Sequence, residues 1–307
     1  MSETPTAAAV TFDQETSPTI DALRSRTAEL PLESPGPDAL AGRTLLMSGG
    51  SRGIGLEIAL AAAKLGANIA FLAKTAQPDP RLTGTVYTAV EQVREAGGQA
   101  VPIVGDIRSD DSIAEAIATT VDTFGGIDIV VNNASAINVV PTTDLAPKRF
   151  DLMLDINVRG THALTQAALP YLRQSEHAHI LALSPPINLD PKWLGAHPAY
   201  TMTKYAMSML TLGFADEFPN ISANCLWPET MIATDAVANN KQLGGEAAVR
   251  HSRQPNIMAD AAAAVLASKP GVVSGHTLVD ADIVKAVGQH DLTQYGGQSP
   301  YRLDLFL

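Results

Sequence analysis

The chain has 307 residues, 46% of them hydrophobic, and a formal net charge of −11; that is ample for one large core and close to the upper size of a single domain. The acidic balance, with no lysine or arginine block, argues against nucleic acid or an anionic membrane as a partner. One cysteine, Cys225, excludes an internal disulfide. No apolar run reaches the roughly 20 residues of a membrane span, and Met1 to Leu30 lacks the hydrophobic run of a secretion signal, so the cytoplasm is the expected compartment.

Residues 1–39 are rich in Ser, Thr, Pro, Ala and acid, and Pro31, Pro35 and Pro37 form a linker, so the segment reads as a mobile N-terminal extension. Its alternative is a short helix over Thr19 to Leu30, with Ile20, Leu23, Thr27 and Leu30 along one side. From residue 40 to 307 a single domain is expected. Short β-branched runs near 44–48, 68–73, 100–104, 128–132, 178–184, 221–226 and 276–280 alternate with longer helical patterns. That alternation is the signature of βαβ units. The fold class is α/β: a Rossmann-type doubly wound, seven-stranded parallel sheet with helices on both faces, whose ligands bind beyond the carboxyl ends of the strands. Ser48, Asp106, Asn132 and Ser184 all fall there.

After the first apolar run comes Ser48-Gly49-Gly50-Ser51-Arg52-Gly53-Ile54-Gly55, followed by an alanine-rich helical pattern. Strand, glycine turn and helix in that order suit a dinucleotide: glycines let backbone N–H groups approach a pyrophosphate, whose charge then sits at a helix N-terminus. Tyr200 and Lys204 lie four residues apart, so a helix sets them on one face. A fixed cation beside a phenol favours the phenolate and brings its proton into working range. His177 and His179 lack the companions a metal site needs, and no metal is assigned. His197 reads as a surface residue at the start of the helix.

With Ser48 in the threonine place, Gly49, Gly53 and Gly55 follow the T-G-x-x-x-G-x-G form, which resembles the glycine motif of the short-chain dehydrogenase/reductase family. The resemblance continues through Asp106, Asn132-Asn133-Ala134-Ser135, Asn157, Ser184 and the Tyr200/Lys204 pair. Ser135 stands where the family carries glycine, a small substitution that leaves the assignment intact. The family's tetrad falls on Asn157, Ser184, Tyr200 and Lys204. The resemblance implies that Tyr200 exchanges a proton with the substrate oxygen, that Lys204 also holds the nicotinamide ribose, that Asn157 positions a water and that Ser184 polarises the carbonyl. The proline-rich stretch Pro185 to Leu194, Lys74-Thr75-Ala76-Gln77-Pro78, Trp227-Pro228-Glu229-Thr230 and the terminal Asp304-Leu305-Phe306-Leu307 look like the hydroxysteroid dehydrogenase-like subgroup and its bacterial relatives, some described as citronellol or citronellal dehydrogenases.

NAD sites place an acid at the end of the second strand, whereas a 2′-phosphate needs cations. Here Ala73-Lys74-Thr75 carries no acid and Arg52 stands in the glycine loop, so NADP(H) is favoured over NAD(H). The expected cofactor contacts are Ser48, Gly49, Ser51, Arg52, Gly53, Ile54, Gly55, Lys74, Asp106, Ile107, Asn133, Ala134, Tyr200 and Lys204. By resemblance Pro228, Thr230 and Thr234 join them, although Pro228-Glu229 replaces the usual Pro-Gly. The substrate pocket is drawn from Ile137, Pro185, Ile187, Trp193, Trp227 and Met231, apolar and without fixed charge, under a lid from Thr230 to Pro255. The expected function is NADP(H)-dependent interconversion of a hydrophobic alcohol and its ketone or aldehyde by a homodimer or homotetramer. An NAD-linked terpenoid alcohol dehydrogenase and a non-catalytic nucleotide sensor are the alternatives.

Overall fold

Every residue of Thr44–Ser48 (β1) is buried, as a strand must be when it has neighbours on both sides and helices over both faces. The computed structural model describes residues 18–307. The other strands are Asn68–Ala73 (β2), Gln99–Val104 (β3), Ile129–Asn132 (β4), His179–Ala182 (β5), Ser222–Trp227 (β6) and Thr277–Val279 (β7), each within two residues of its expected bounds. They form one sheet in the order β3-β2-β1-β4-β5-β6-β7, with all neighbouring pairs parallel. The chain winds outward from β1 through β2 to β3 and then returns to the other side of β1 as β4. That reversal opens a crevice at the carboxyl ends of β1 and β4.

The helices are Pro18–Thr27 (α1), Gly53–Lys64 (α2), Val86–Glu95 (α3), Asp110–Phe124 (α4), Pro147–Met153 (α5), Gly160–Leu172 (α6), Pro191–Gly195 (α7), Pro198–Glu217 (α8), Asp235–Ala238 (α9), Gly245–Val249 (α10), Asn256–Leu266 (α11) and Asp280–Ala286 (α12). Strand alternation divides the core into two layers. Leu45, Met47, Ile69, Phe71 and Val131 pack with α2, α3 and α11. Leu46, Ala70, Val130 and Ile180 point the other way, onto α4, α6 and α8. Local signals set the helix ends: Thr85 and Thr88 form a capping box at α3, Ser109 accepts from Ser112 N at α4, and Gly125 ends α4 at φ 87°. No helix among the described residues is long and apolar enough to cross a membrane.

The segment expected to be a mobile extension departs from that expectation from residue 18 onward, while residues 1–17 lie outside the described residues. α1 lays a fully buried Ile20 and a buried Thr27 against the body. Arg24 extends from it to pair with Asp282 of α12 at 2.9 Å and with Glu229. Leu32 and Leu40 then enter the core. A few long-range contacts thus outweigh a composition that reads as linker.

Candidate active site

The glycine turn is shaped by what a side chain would strike. Gly49 sits at φ +74°, and a Cβ there would come within 2.9 Å of Ala134 Cα; at Gly55 it would come within 2.5 Å of Asn133 Nδ2. These two glycines therefore let the β1–α2 turn press against the end of β4. The contact is tied by hydrogen bonds, since Asn133 Nδ2 donates to Ser48 O at 3.0 Å and to Gly49 O at 2.8 Å. At the start of α2 the residue before the helix, Arg52, makes no side-chain cap and the first turn carries no acid. The helix start is thus left for an anion, which fits the pyrophosphate of a dinucleotide.

A cleft of about 970 Å³ runs from this turn to Tyr200 and Lys204. Of the expected cofactor contacts it is lined by Gly49, Ser51, Arg52, Gly53, Ile54, Lys74, Asp106, Ile107, Asn133, Ala134, Tyr200, Lys204, Pro228 and Thr234. At its adenosine end Arg52 donates to Gly84 O at 3.0 Å and to Thr75 Oγ1 at 3.3 Å. Lys74 pairs with Asp106 at 3.1 Å, and Arg108 grips the same carboxylate. Those partners, Arg108 foremost, hold the Asp106 carboxyl below the ordinary range. Across the mouth, Thr83 donates to Asp235 in the expected lid from both N and Oγ1, at 2.8 Å each.

Several expected site residues do not reach the cleft. Ser48 is buried, and its Oγ accepts from Asn133 N at 3.2 Å and Ala134 N at 3.1 Å, bracing β1 to β4. Gly55 packs against Asn133 and does not line the cleft. Thr230 is turned into the protein, donating to Met231 O and pairing with Leu303. Asn157, in a π-helical turn over Leu154–Arg159, spends its amide on protein partners: Oδ1 accepts from Ala136 N at 2.7 Å, and Nδ2 donates to Ala136 O at 3.0 Å and Thr203 Oγ1 at 3.1 Å. Ser184 is fully buried outside the cleft, beside the Cys225 thiol, and its Oγ finds no hydrogen-bond partner among the described residues.

The substrate side differs more. Ile137, Trp227 and Met231 line the cleft, but Pro185, Ile187 and Trp193 do not. Leu305, Phe306 and Leu307 bury themselves against the apolar wall around Tyr200 and Trp227. This C-terminal strap is held by hydrogen bonds from Asp304 N to Glu229 O and from Met231 N to Arg302 O. The fully buried Phe306 ring lies 5.3 to 6.0 Å from the rings of Trp227, Tyr205, His197 and Tyr200. His197 is accordingly buried, not on the surface, with Nδ1 2.8 Å from Thr201 Oγ1. The strap also brings a carboxyl to a wall expected to be uncharged: Asp304 lines the cleft and accepts from Trp227 Nε1 at 2.6 Å.

Burial sets the protonation of this group of side chains. It drives the Tyr200 phenol well above its ordinary value; Asp304 adds to that, and the Ser135 hydroxyl opposes it. Lys204 is pushed down to about 7 and Asp304 up to about 7, each by loss of water. The Lys204 ammonium donates to Leu183 O at 2.5 Å and lies 5.0 Å from the centre of the Trp227 ring. The pair expected from helical spacing is thus on one wall, but the amine turns to a carbonyl, and the expected lowering of the tyrosine by the lysine is absent from this arrangement.

Residues 43–243 match the short chain dehydrogenase family model. The chain belongs to the short-chain dehydrogenase family. Hydroxysteroid dehydrogenase-like protein 2 of Xenopus tropicalis is 47% identical over 276 residues, and the human protein of that name is 46% identical over 276 residues. Each match takes in 89% of this chain and 65% of the relative, so the chain spans less than two thirds of those relatives' length. A solved short-chain dehydrogenase from Mycobacterium thermoresistibile is 50% identical, with a TM-score of 0.81 over 87% of this chain and 96% of that one. The family supplies an oxidoreductase with a nicotinamide cofactor. Cleft-lining polar side chains that sequence reasoning left out of the site include Ser135 and Asp304; the acid followed by three apolar residues at positions 304–307 was a visible signal for the second.

Proposed function

We propose that the protein is an NADP(H)-dependent oxidoreductase that interconverts a hydrophobic alcohol and its ketone or aldehyde, with Tyr200 as acid/base. The observation that carries this reading is that Tyr200 and Lys204 line the same cleft as the glycine turn and Arg52. The nicotinamide, when bound, supplies or accepts hydride at the substrate carbon. Tyr200 gives its proton to the substrate oxygen in reduction, so that full negative charge does not build there. Because burial disfavours the phenolate, the resting phenol keeps its proton, as reduction requires. Lys204 lies one turn along α8 on the same wall of the cleft. Trp227, Met231 and the strap's Leu305 supply an apolar wall that favours a hydrophobic substrate. The relatives' name suggests steroids, so a screen of steroid, terpenoid and acyl ketones follows. Exposed Met202 and Met209 on α8 support assembly as a homodimer or homotetramer.

Cofactor choice rests on Arg52, whose guanidinium stands near Thr75 at the end of β2, where Ala73-Lys74-Thr75 carries no acid. An Arg52→Gln variant should lose about 1.5–3 kcal/mol of discrimination for NADPH over NADH, roughly 10- to 100-fold in the ratio of kcat/KM. Steady-state kinetics with both dinucleotides checks this. Equal or better use of NADH by the unaltered protein would instead favour the NAD-linked terpenoid alcohol dehydrogenase.

A further inference from the structure

Asp304 lines the cleft together with Trp227, Met231 and Leu305, so a carboxyl is set into an apolar stretch of wall. It stands at the Tyr200 end. Trp227 Nε1 donates to Asp304 Oδ1 at 2.6 Å, and the same indole has the Lys204 ammonium 5.0 Å from its centre and, at 5.3 Å, the Phe306 ring, which is 6.0 Å from the ring of Tyr200. The backbone behind the carboxyl is fixed. Asp304 N donates to Glu229 O at 3.0 Å, and Glu229 is held by Arg253 Nη1 at 2.6 Å, by Arg24 and, through its own N–H, by Asp280 Oδ1 at 2.8 Å. The salt bridges among the described residues do not include Asp304. A carboxyl has about four acceptor sites on its two oxygens, so the indole N–H leaves room for a further donor. Among apolar side chains an acceptor left without that donor is costly once water is displaced.

We propose that Asp304 determines substrate specificity by accepting a hydrogen bond from a substrate hydroxyl, so that the substrate class is an apolar ketone or aldehyde that carries a hydroxyl apart from its reacting carbonyl. The carbonyl lies at Tyr200, the hydrocarbon on Trp227, Met231 and Leu305, and the hydroxyl at Asp304; no bond is made or broken at the carboxyl. A substrate without the donor displaces water from Asp304 and puts nothing in its place. An ammonium would suit the carboxyl as well, but it would share the indole with the Lys204 amine, a repulsion that a neutral hydroxyl does not meet. The assignment rests on the reading of the protein as a carbonyl-handling oxidoreductase.

The test is steady-state reduction by NADPH, on the full chain, of an alkyl-substituted cyclic ketone, its hydroxylated forms with the hydroxyl at each ring carbon in turn, and the matching methyl ethers. For at least one position, kcat/KM for the hydroxy ketone should exceed that for its methyl ether and for the parent ketone by about 10- to 100-fold, the scale for leaving a buried acceptor unpaired. Asp304→Ala should bring both ratios close to one. Asp304→Asn keeps an oxygen for Trp227 and offers the cleft an N–H instead of an acceptor, so it should lower the ratio of hydroxy ketone to methyl ether. Each ratio is taken on one preparation of one protein, so any loss of folded fraction cancels. Rates within about threefold across the whole series for the unaltered protein are too close for an unpaired acceptor and overturn the proposal, while leaving the oxidoreductase reading in place. Ratios that persist in either variant also overturn it. If no ketone of the series is reduced, the functional reading falls and the proposal falls with it.

Discussion

Replacing Tyr200 by Phe should lower kcat for reduction of an apolar ketone by about 10²- to 10⁴-fold, the contribution of a positioned acid/base. The substitution isolates the chemistry because it removes one oxygen and keeps the ring. Tyr200 is only 3% exposed, and its ring contacts with His197 and Phe306 are available to phenylalanine. Stability and NADPH binding should therefore change little. Rapid-mixing measurement of cofactor oxidation, alongside thermal melts, separates loss of chemistry from loss of fold. Turnover within a factor of about three of the unaltered protein would remove Tyr200 from its proposed role, since a lost acid/base costs far more.

Shortening Phe306 to Ala should cost about 3–5 kcal/mol of stability, the range for emptying an aromatic site in a packed core. The ring is fully buried among Tyr200, Tyr205, His197 and Trp227, and the backbone around it is pinned to residues 229–231 by the strap's hydrogen bonds. A pinned backbone limits collapse into the space, which places the cost toward the upper end. Urea unfolding followed by tryptophan fluorescence reads it directly through Trp227. Phe306→Leu, which keeps much of the volume, should lose less. A cost below about 1 kcal/mol for the alanine variant would show that the strap is not part of the core, because such values are typical of exposed positions.

The sheet was legible because strands buried on both faces announce themselves as local apolar runs, and β1 to β7 fall where those runs lie. The glycine turn was legible for a similar reason: Gly49 and Gly55 answer a contact between adjacent strands that recurs wherever this turn is built. Ser184 was not, because its outcome depends on which way one side chain leaves the end of β5. Leu181 and Leu183 face one layer of the core, and Ser184 follows the parity of Ile180 toward α8 and Cys225. Nor was the filling of the pocket. Phe306 lies more than 100 residues from Tyr200 in the chain, and long-range contacts such as the pairing of Leu303 with Thr230 bring it there. Lys204 shows the limit of spacing rules in another way: i to i+4 put it on the right face, but the buried carbonyl of Leu183 captured its amine.

The most direct measurement is product analysis by mass spectrometry after the unaltered protein has reduced an apolar ketone with NADPH carrying deuterium on the transferring face of the nicotinamide. The alcohol should carry the label on its new C–H bond, and Tyr200→Phe should bind the dinucleotide yet form almost none. Unlabelled alcohol, or labelled alcohol formed as readily by the phenylalanine variant, would contradict that chemistry.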